Sequence, residues 1–158
     1  MMKSWLKKYK ALLILFAYLG CATLVYACLS ENNPMTFLMG LFFITFSFFK
    51  LIHLKEFYAS FKKYDIIAKN INFYAWIYPF IEIVLGLMFI TQLNTPAASV
   101  VVIIILSSTN IGVIKSLKKG EVLECACLGV VFNLPLSRVT VIENSIMILM
   151  AIVQLLII

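Results

Sequence analysis

The stretch "FYAWIYPFIEIVLGLMFITQL", Phe73–Leu93, carries one charged residue, Glu82, in 21 positions. At 1.5 Å per residue a helix of this length is about 30 Å long, which is the thickness of a bilayer's hydrocarbon core. It therefore reads as a membrane-spanning helix. Four further stretches read the same way: Ala11–Leu29, Thr36–Ile52 (short and Phe-rich), Ala97–Ile114 and Val139–Ile158. The chain of 158 residues is 63% hydrophobic, with a mean hydropathy of +1.05. Soluble domains are roughly 45–50% apolar, so this chain cannot hide its apolar surface in one small core. The expectation is an all-α integral membrane protein forming a single membrane domain over residues 1–158. There is no room for an appended soluble domain, and nothing polar enough to bind nucleic acid.

The charges give the topology. Lys3, Lys7, Lys8 and Lys10 precede the first span. Lys50, Lys55, Lys62, Lys63 and Lys69 lie between the second and third, and Lys115, Lys118, Lys119 and Arg138 between the fourth and fifth. These are all 13 basic residues. The alternate breaks, "SENNP" and "NTP", contain no base. By the positive-inside rule five spans follow, with the N-terminus cytoplasmic and the C-terminus external, in a bacterial inner membrane. The first span also has the basic start and apolar middle of a signal peptide, but Tyr26 is wrong for a cleavage site before Cys28, and the charge alternation already gives this helix a place. In His53–Asn70, Leu54, Phe57, Tyr58, Phe61, Tyr64 and Ile67 recur at helical spacing opposite lysines and acids. That pattern predicts an interfacial amphipathic helix lying on the cytoplasmic leaflet.

Glu82 is the residue least at home in hydrocarbon, where an unpaired carboxylate costs about 2.5–3.5 kcal/mol on insertion scales. Pro79 stands three residues before it and Gly86 four after, so the three share one helix face, expected to turn toward protein. Glu82 is either a proton- or ligand-handling acid or a lock between helices, with Asn110 and Asn144 as candidate partners. His53, the only histidine, reads as an interfacial polar residue rather than a ligand. Met35, Met39 and Met88 read as gap-filling bulk rather than soft-metal ligands.

The four cysteines divide into two pairs. Cys21 and Cys28 are two turns apart in the first span, about 10 Å along the axis, too far to bridge within an intact helix, and read as small apolar fillers. Cys125 and Cys127 sit one residue apart in "CACLG" within a loop over residues 115–138. Such a pair suits two-electron thiol–disulfide exchange with a partner protein, or two-coordinate capture of Cu(I) or Hg(II) as cargo. It has too few donors for a closed structural zinc site. On the cytoplasmic side a standing disulfide is disfavoured. Before the last span, Ser137 and Thr140 are N-cap candidates, and Glu143 completes a capping box from Thr140 while also standing as a candidate for proton transfer. No phosphate-binding glycine loop, paired catalytic histidines or haem-attachment motif is present, so no resident cofactor is expected.

"CACLG" followed by "VFNLPLSRVTVIENSIMILMA", with "YPFIEIVLG" (Tyr78–Gly86) and "MGLFFITFSFFKLIHLKEF" (Met39–Phe57), resembles the MauE branch of the MauE/DoxX membrane-protein family from about Phe37 onward. The resemblance implies a DoxX-like four-helix bundle to which the first span is an N-terminal addition. It also implies a role in redox chemistry or in maturing a disulfide-containing partner, with Cys125 and Cys127 as the active pair and Glu82 and Glu143 as acids. No methylamine-specific feature is visible. Three readings stand: a membrane thiol–disulfide accessory protein, a soft-metal transporter and a non-catalytic scaffold. The bilayer is the certain partner, and a homo-oligomer is compatible with the sequence.

Overall fold

A computed structural model describes residues 2–120 and 138–157. Among these the chain is helical without strands: α1 (Met2–Leu29), α2 (Pro34–Ile52), α3 (Leu54–Tyr64), α4 (Ile66–Asn70), α5 (Asn72–Ile90), α6 (Thr95–Lys118) and α7 (Arg138–Ile157). Five of them, α1, α2, α5, α6 and α7, are long and apolar enough to cross a bilayer. The protein is thus an all-α, multi-pass membrane protein, and all five spans expected from the sequence are present. Their ends shift by a few residues. The fourth runs to Lys118 rather than Ile114, so Lys115 and Lys118 belong to helix, not to the loop. Thr140 lies inside α7 and is not its N-cap. Ser137, Cys125 and Cys127 lie outside the described residues.

Local signals explain the helix starts. Pro34 opens α2, where its missing N–H costs nothing, and the Asn33 side chain caps the helix by accepting from the Met35 N–H at 3.0 Å. Asn33 Nδ2 also donates to Gln154 Oε1 at 3.3 Å, tying the start of α2 to the far end of α7. Pro96 stands in the first turn of α6, where its missing N–H likewise costs nothing, although Asn94 makes no side-chain cap there.

The closest packing in the bundle is between α2 and α5. A Cβ at Gly40 would come within 2.7 Å of the Gly86 carbonyl oxygen, and one at Gly86 within 2.9 Å of the Gly40 carbonyl. The two glycines face each other and let the backbones touch. Around this contact Met39, Phe43, Tyr78, Leu85 and Phe89 form the main core, which also takes in Val102, Ile105, Leu106 and Val113 of α6 and Met147 and Ala151 of α7. None of the described side chains of the first helix belongs to that core. Its Leu12 and Leu19 form a separate small cluster with Phe46 of α2.

The amphipathic segment differs from its sequence reading. It is two helices rather than one, broken at Asp65, and its apolar face rests on protein. Phe57, Phe61, Tyr64 and Ala68 are buried. Phe61 meets Tyr78 of α5 in a tilted ring contact and Phe57 stacks on it, with ring centroids 4.5 and 5.9 Å apart. The Tyr64 carbonyl presses against Gly112 of α6, where any Cβ would overlap it. The segment therefore caps the basic end of the bundle. Amphipathic periodicity is the same for a helix on a membrane and one on a protein, which is why the pattern alone could not separate them.

Gly112→Ala is expected to lift the α3–α4 cap from α6 while leaving the spans in place. Hydrogen exchange in detergent should accelerate across residues 54–70 and remain near wild type at the α2–α5 contact.

Candidate functional site

The polar centre of the protein forms where α2, α3 and α5 meet. Glu82 is 3% exposed and does not lie bare in hydrocarbon. Lys50 Nζ, equally buried, donates to both carboxylate oxygens at 2.5 and 2.6 Å. The Ser47 hydroxyl, one turn earlier on α2, stands 2.8 Å from the Pro79 carbonyl oxygen and 3.0 Å from Glu82 Oε2, sharing its one proton between them. The lysine ammonium also sits over two rings, 4.8 Å from the centroid of Tyr78 and 5.5 Å from that of Phe57. A buried charge pair is tolerated only when its donors and lone pairs are answered nearby. Here the carboxylate meets an ammonium and a hydroxyl, and the ammonium's remaining face meets aromatic quadrupoles.

The sequence pattern assigns the acid face correctly: Pro79, Glu82 and Gly86 are all buried. It does not find the partner. Asn110 is turned to Ser145 of α7, its Nδ2 donating to Oγ at 3.1 Å, and Asn144 is buried elsewhere on α7. Lys50, counted from the sequence as a loop base, belongs to the last turn of α2. The available signal was the three-residue spacing of Ser47 and Lys50, which places both on the face of α2 that holds Gly40 and Phe43.

A second buried acid was not singled out from the sequence. Asp65, at the break between α3 and α4, caps α4 by accepting from the Ala68 N–H at 2.8 Å. It accepts from Thr109 Oγ1 at 2.8 Å and Ser108 Oγ at 3.3 Å on α6. Burial pushes its carboxyl above the ordinary 3.8, and these hydrogen bonds only partly oppose that. An Asp just before an apolar run, with an amide donor three residues on, is the N-cap signal that would have found it.

The other candidates are placed as follows. Glu143 lies in α7 and helps line a half-open cleft of about 300 Å³ whose walls are otherwise apolar: Phe16, Leu19, Gly20, Leu38, Phe42, Ile146, Met147 and Met150. It is not brought to Glu82, which faces α2 and α3. Cys21 and Cys28 are free and exposed on α1. Met39 is fully buried in the core, and Met88 is packed against it. His53 joins α2 to α3 without a side-chain cap. Among the described residues no group of three or more His, Cys, Asp or Glu could hold a metal ion.

A five-span helical bundle with a capped basic end, an intramembrane Lys–Glu pair and a Cys-Ala-Cys motif in the sequence before its last helix defines a class of small polytopic membrane proteins. The family model described as methylamine utilisation protein MauE matches residues 9–157, nearly the whole chain; the match takes in the first span, which is therefore part of the family's extent rather than an addition lying before Phe37. The chain belongs to the MauE family. Searches of curated proteins and of solved structures give no match.

Two outcomes test the site. Lys50→Met or Glu82→Leu alone leaves one buried charge unanswered and is expected to cost about 3–5 kcal/mol. The double variant should recover most of that loss, as read by thermal unfolding in detergent. For Asp65, the folded carboxyl titrates above 3.8, so folding favours its protonated form. Its contribution is fully present below 3.8 and is lost as pH rises to the raised value. The thermal midpoint should fall across that window in the wild type, and the fall should shrink in Asp65→Asn, which keeps the capping acceptor.

Proposed function

We propose that this MauE-family protein is a membrane accessory in thiol–disulfide exchange, acting on a partner protein through Cys125 and Cys127. The observation that carries the reading is family membership over residues 9–157 together with the Cys-Ala-Cys element that falls within that match. In one direction the exchange forms a disulfide between Cys125 and Cys127 and breaks one in the partner. Two electrons and two protons pass to the partner's sulfurs, leaving it as a dithiol; the reverse direction oxidises the partner. No further oxidant or reductant is needed for a single turnover.

In this reading the bundle is the platform for the Cys-Ala-Cys element, which lies between α6 and α7 in sequence, and the basic end faces the cytoplasm. Glu143, on the helix that follows the Cys-Ala-Cys element in sequence, is assigned the handling of a proton released at the thiols. Glu82, with both oxygens engaged, has a positioning role: it fixes α2 and α5 and the cap above them. Its engagement by Lys50 and Ser47 favours the lock among the two roles its sequence context allows.

Thiol titration of the purified chain in detergent tests the proposal. Mild oxidation should remove two titratable thiols, a reductant should restore them, and Cys125→Ser/Cys127→Ser should show no such cycle. Thiols that persist through oxidation but are protected stoichiometrically by Cu(I) would replace the redox reading with soft-metal handling. Thiols indifferent to both would leave the protein a scaffold.

A further inference from the structure

We propose that the outer face of α3 and α5 is a binding site for one anionic phospholipid, with its phosphate on Lys55 and Lys62 and an acyl chain along α5. The site has two halves whose adjacency the structure fixes. The first is a stripe on α5. Phe73, Trp76, Phe80, Val84 and Leu87 are all exposed and recur at three- and four-residue spacing, so they form one continuous apolar track along the helix. In a span this track faces hydrocarbon. The second half is a stripe on α3, where Lys55, Tyr58 and Lys62 recur at i, i+3 and i+7 and so line one face. The Tyr58 ring lies 5.2 Å from the Trp76 ring, and Lys62 Nζ stands 5.8 Å over Tyr58. The top of the apolar track therefore ends directly against the basic stripe.

Among the described residues the charge of this edge is not answered internally. Lys50–Glu82 is the one ion pair among the described residues, and neither Lys55 nor Lys62 belongs to it. On α3 and α4 the only exposed carboxylate is Glu56, since Asp65 is fully buried. The basic stripe is also held still. Phe57, Phe61 and Tyr64 are each 1–2% exposed and anchor α3 on the bundle, so the lysines are presented at a fixed height above the apolar track. Amphipathic tyrosine and tryptophan at the level where chain meets headgroup, with lysines just beyond, match a phospholipid end to end. Positive charge selects the anionic headgroups over zwitterionic ones, each well-placed lysine contributing roughly a five-fold preference. The inference is independent of the thiol chemistry.

The test uses the full chain with Trp5→Phe, leaving Trp76 as the sole tryptophan, reconstituted in mixed phosphatidylglycerol and phosphatidylcholine vesicles. In one series only the phosphatidylglycerol carries brominated chains, and in the other only the phosphatidylcholine. Brominated phosphatidylglycerol should quench Trp76 at a several-fold lower mole fraction than brominated phosphatidylcholine. That preference should vanish in Lys55→Gln/Lys62→Gln, persist in Lys55→Arg/Lys62→Arg, and persist in Lys115→Gln/Lys118→Gln, whose lysines lie on α6. Equal quenching by the two lipids would overturn the site. So would a preference lost equally in both glutamine pairs, because that would be the diffuse potential of the whole basic end. The arginine pair guards against loss through misfolding: it restores charge without restoring the original side chain.

Discussion

A carboxylate in the middle of a spanning helix must be answered by another group, and the contact between Lys50 and Glu82 is that answer. Its consequences extend through the fold. For the ammonium to reach the acid, α2 and α5 must run in contact, and Gly40 and Gly86 remove the side chains that would hold them apart. For the ammonium's other face to be covered, Tyr78 and Phe57 must close over it, which places α3 against α5 and folds the amphipathic segment down onto the bundle. The same segment then delivers Asp65 to Thr109 of α6. Two buried acids thus stitch three spans and a cap together at one end, while α1 stays outside this network with its own small cluster.

The polar centre and the thiol pair have different standing. Glu82 is engaged on both oxygens, and its surroundings are aromatic and closed, which suits a group that fixes geometry. The cysteines lie between α6 and α7 in sequence, and α6 is the helix that holds the cap through Gly112, Ser108 and Thr109. The frame supplies position, and the chemistry proposed for the family-matched Cys-Ala-Cys element needs a pair of sulfurs and a partner. A membrane surface at the same end is engaged separately, through α3 and the outer track of α5.

Much of this was legible in the residues. Hydropathy gave five spans because a helix of about 20 apolar residues has one comfortable environment. Pro79, Glu82 and Gly86 declared the inward face of α5 because each is costly toward lipid. What could not be read was long-range pairing. Lys50 lies 32 positions from Glu82, and its place at the end of an apolar run is equally that of a loop base under the positive-inside rule. The apolar face of α3 has the same period whether it meets lipid or Tyr78. Asp65 was concealed among lysines, although its capping position was written in the sequence. The cysteine motif was legible in full, and its geometry lies outside the described residues.

The most direct test of this account is the separation between Lys50 and Glu82 in a bilayer. Solid-state NMR of protein labelled with ¹⁵N-lysine and ¹³C-glutamate would report it through dipolar transfer from the Lys50 side-chain nitrogen to the Glu82 carboxyl carbon. The account predicts rapid transfer at hydrogen-bonding separation, absent when Lys50 is replaced by methionine. No transfer to Glu82, or transfer from another lysine in its place, would contradict it, because the α2–α5 contact, the aromatic cover and the seated cap would then have no common cause.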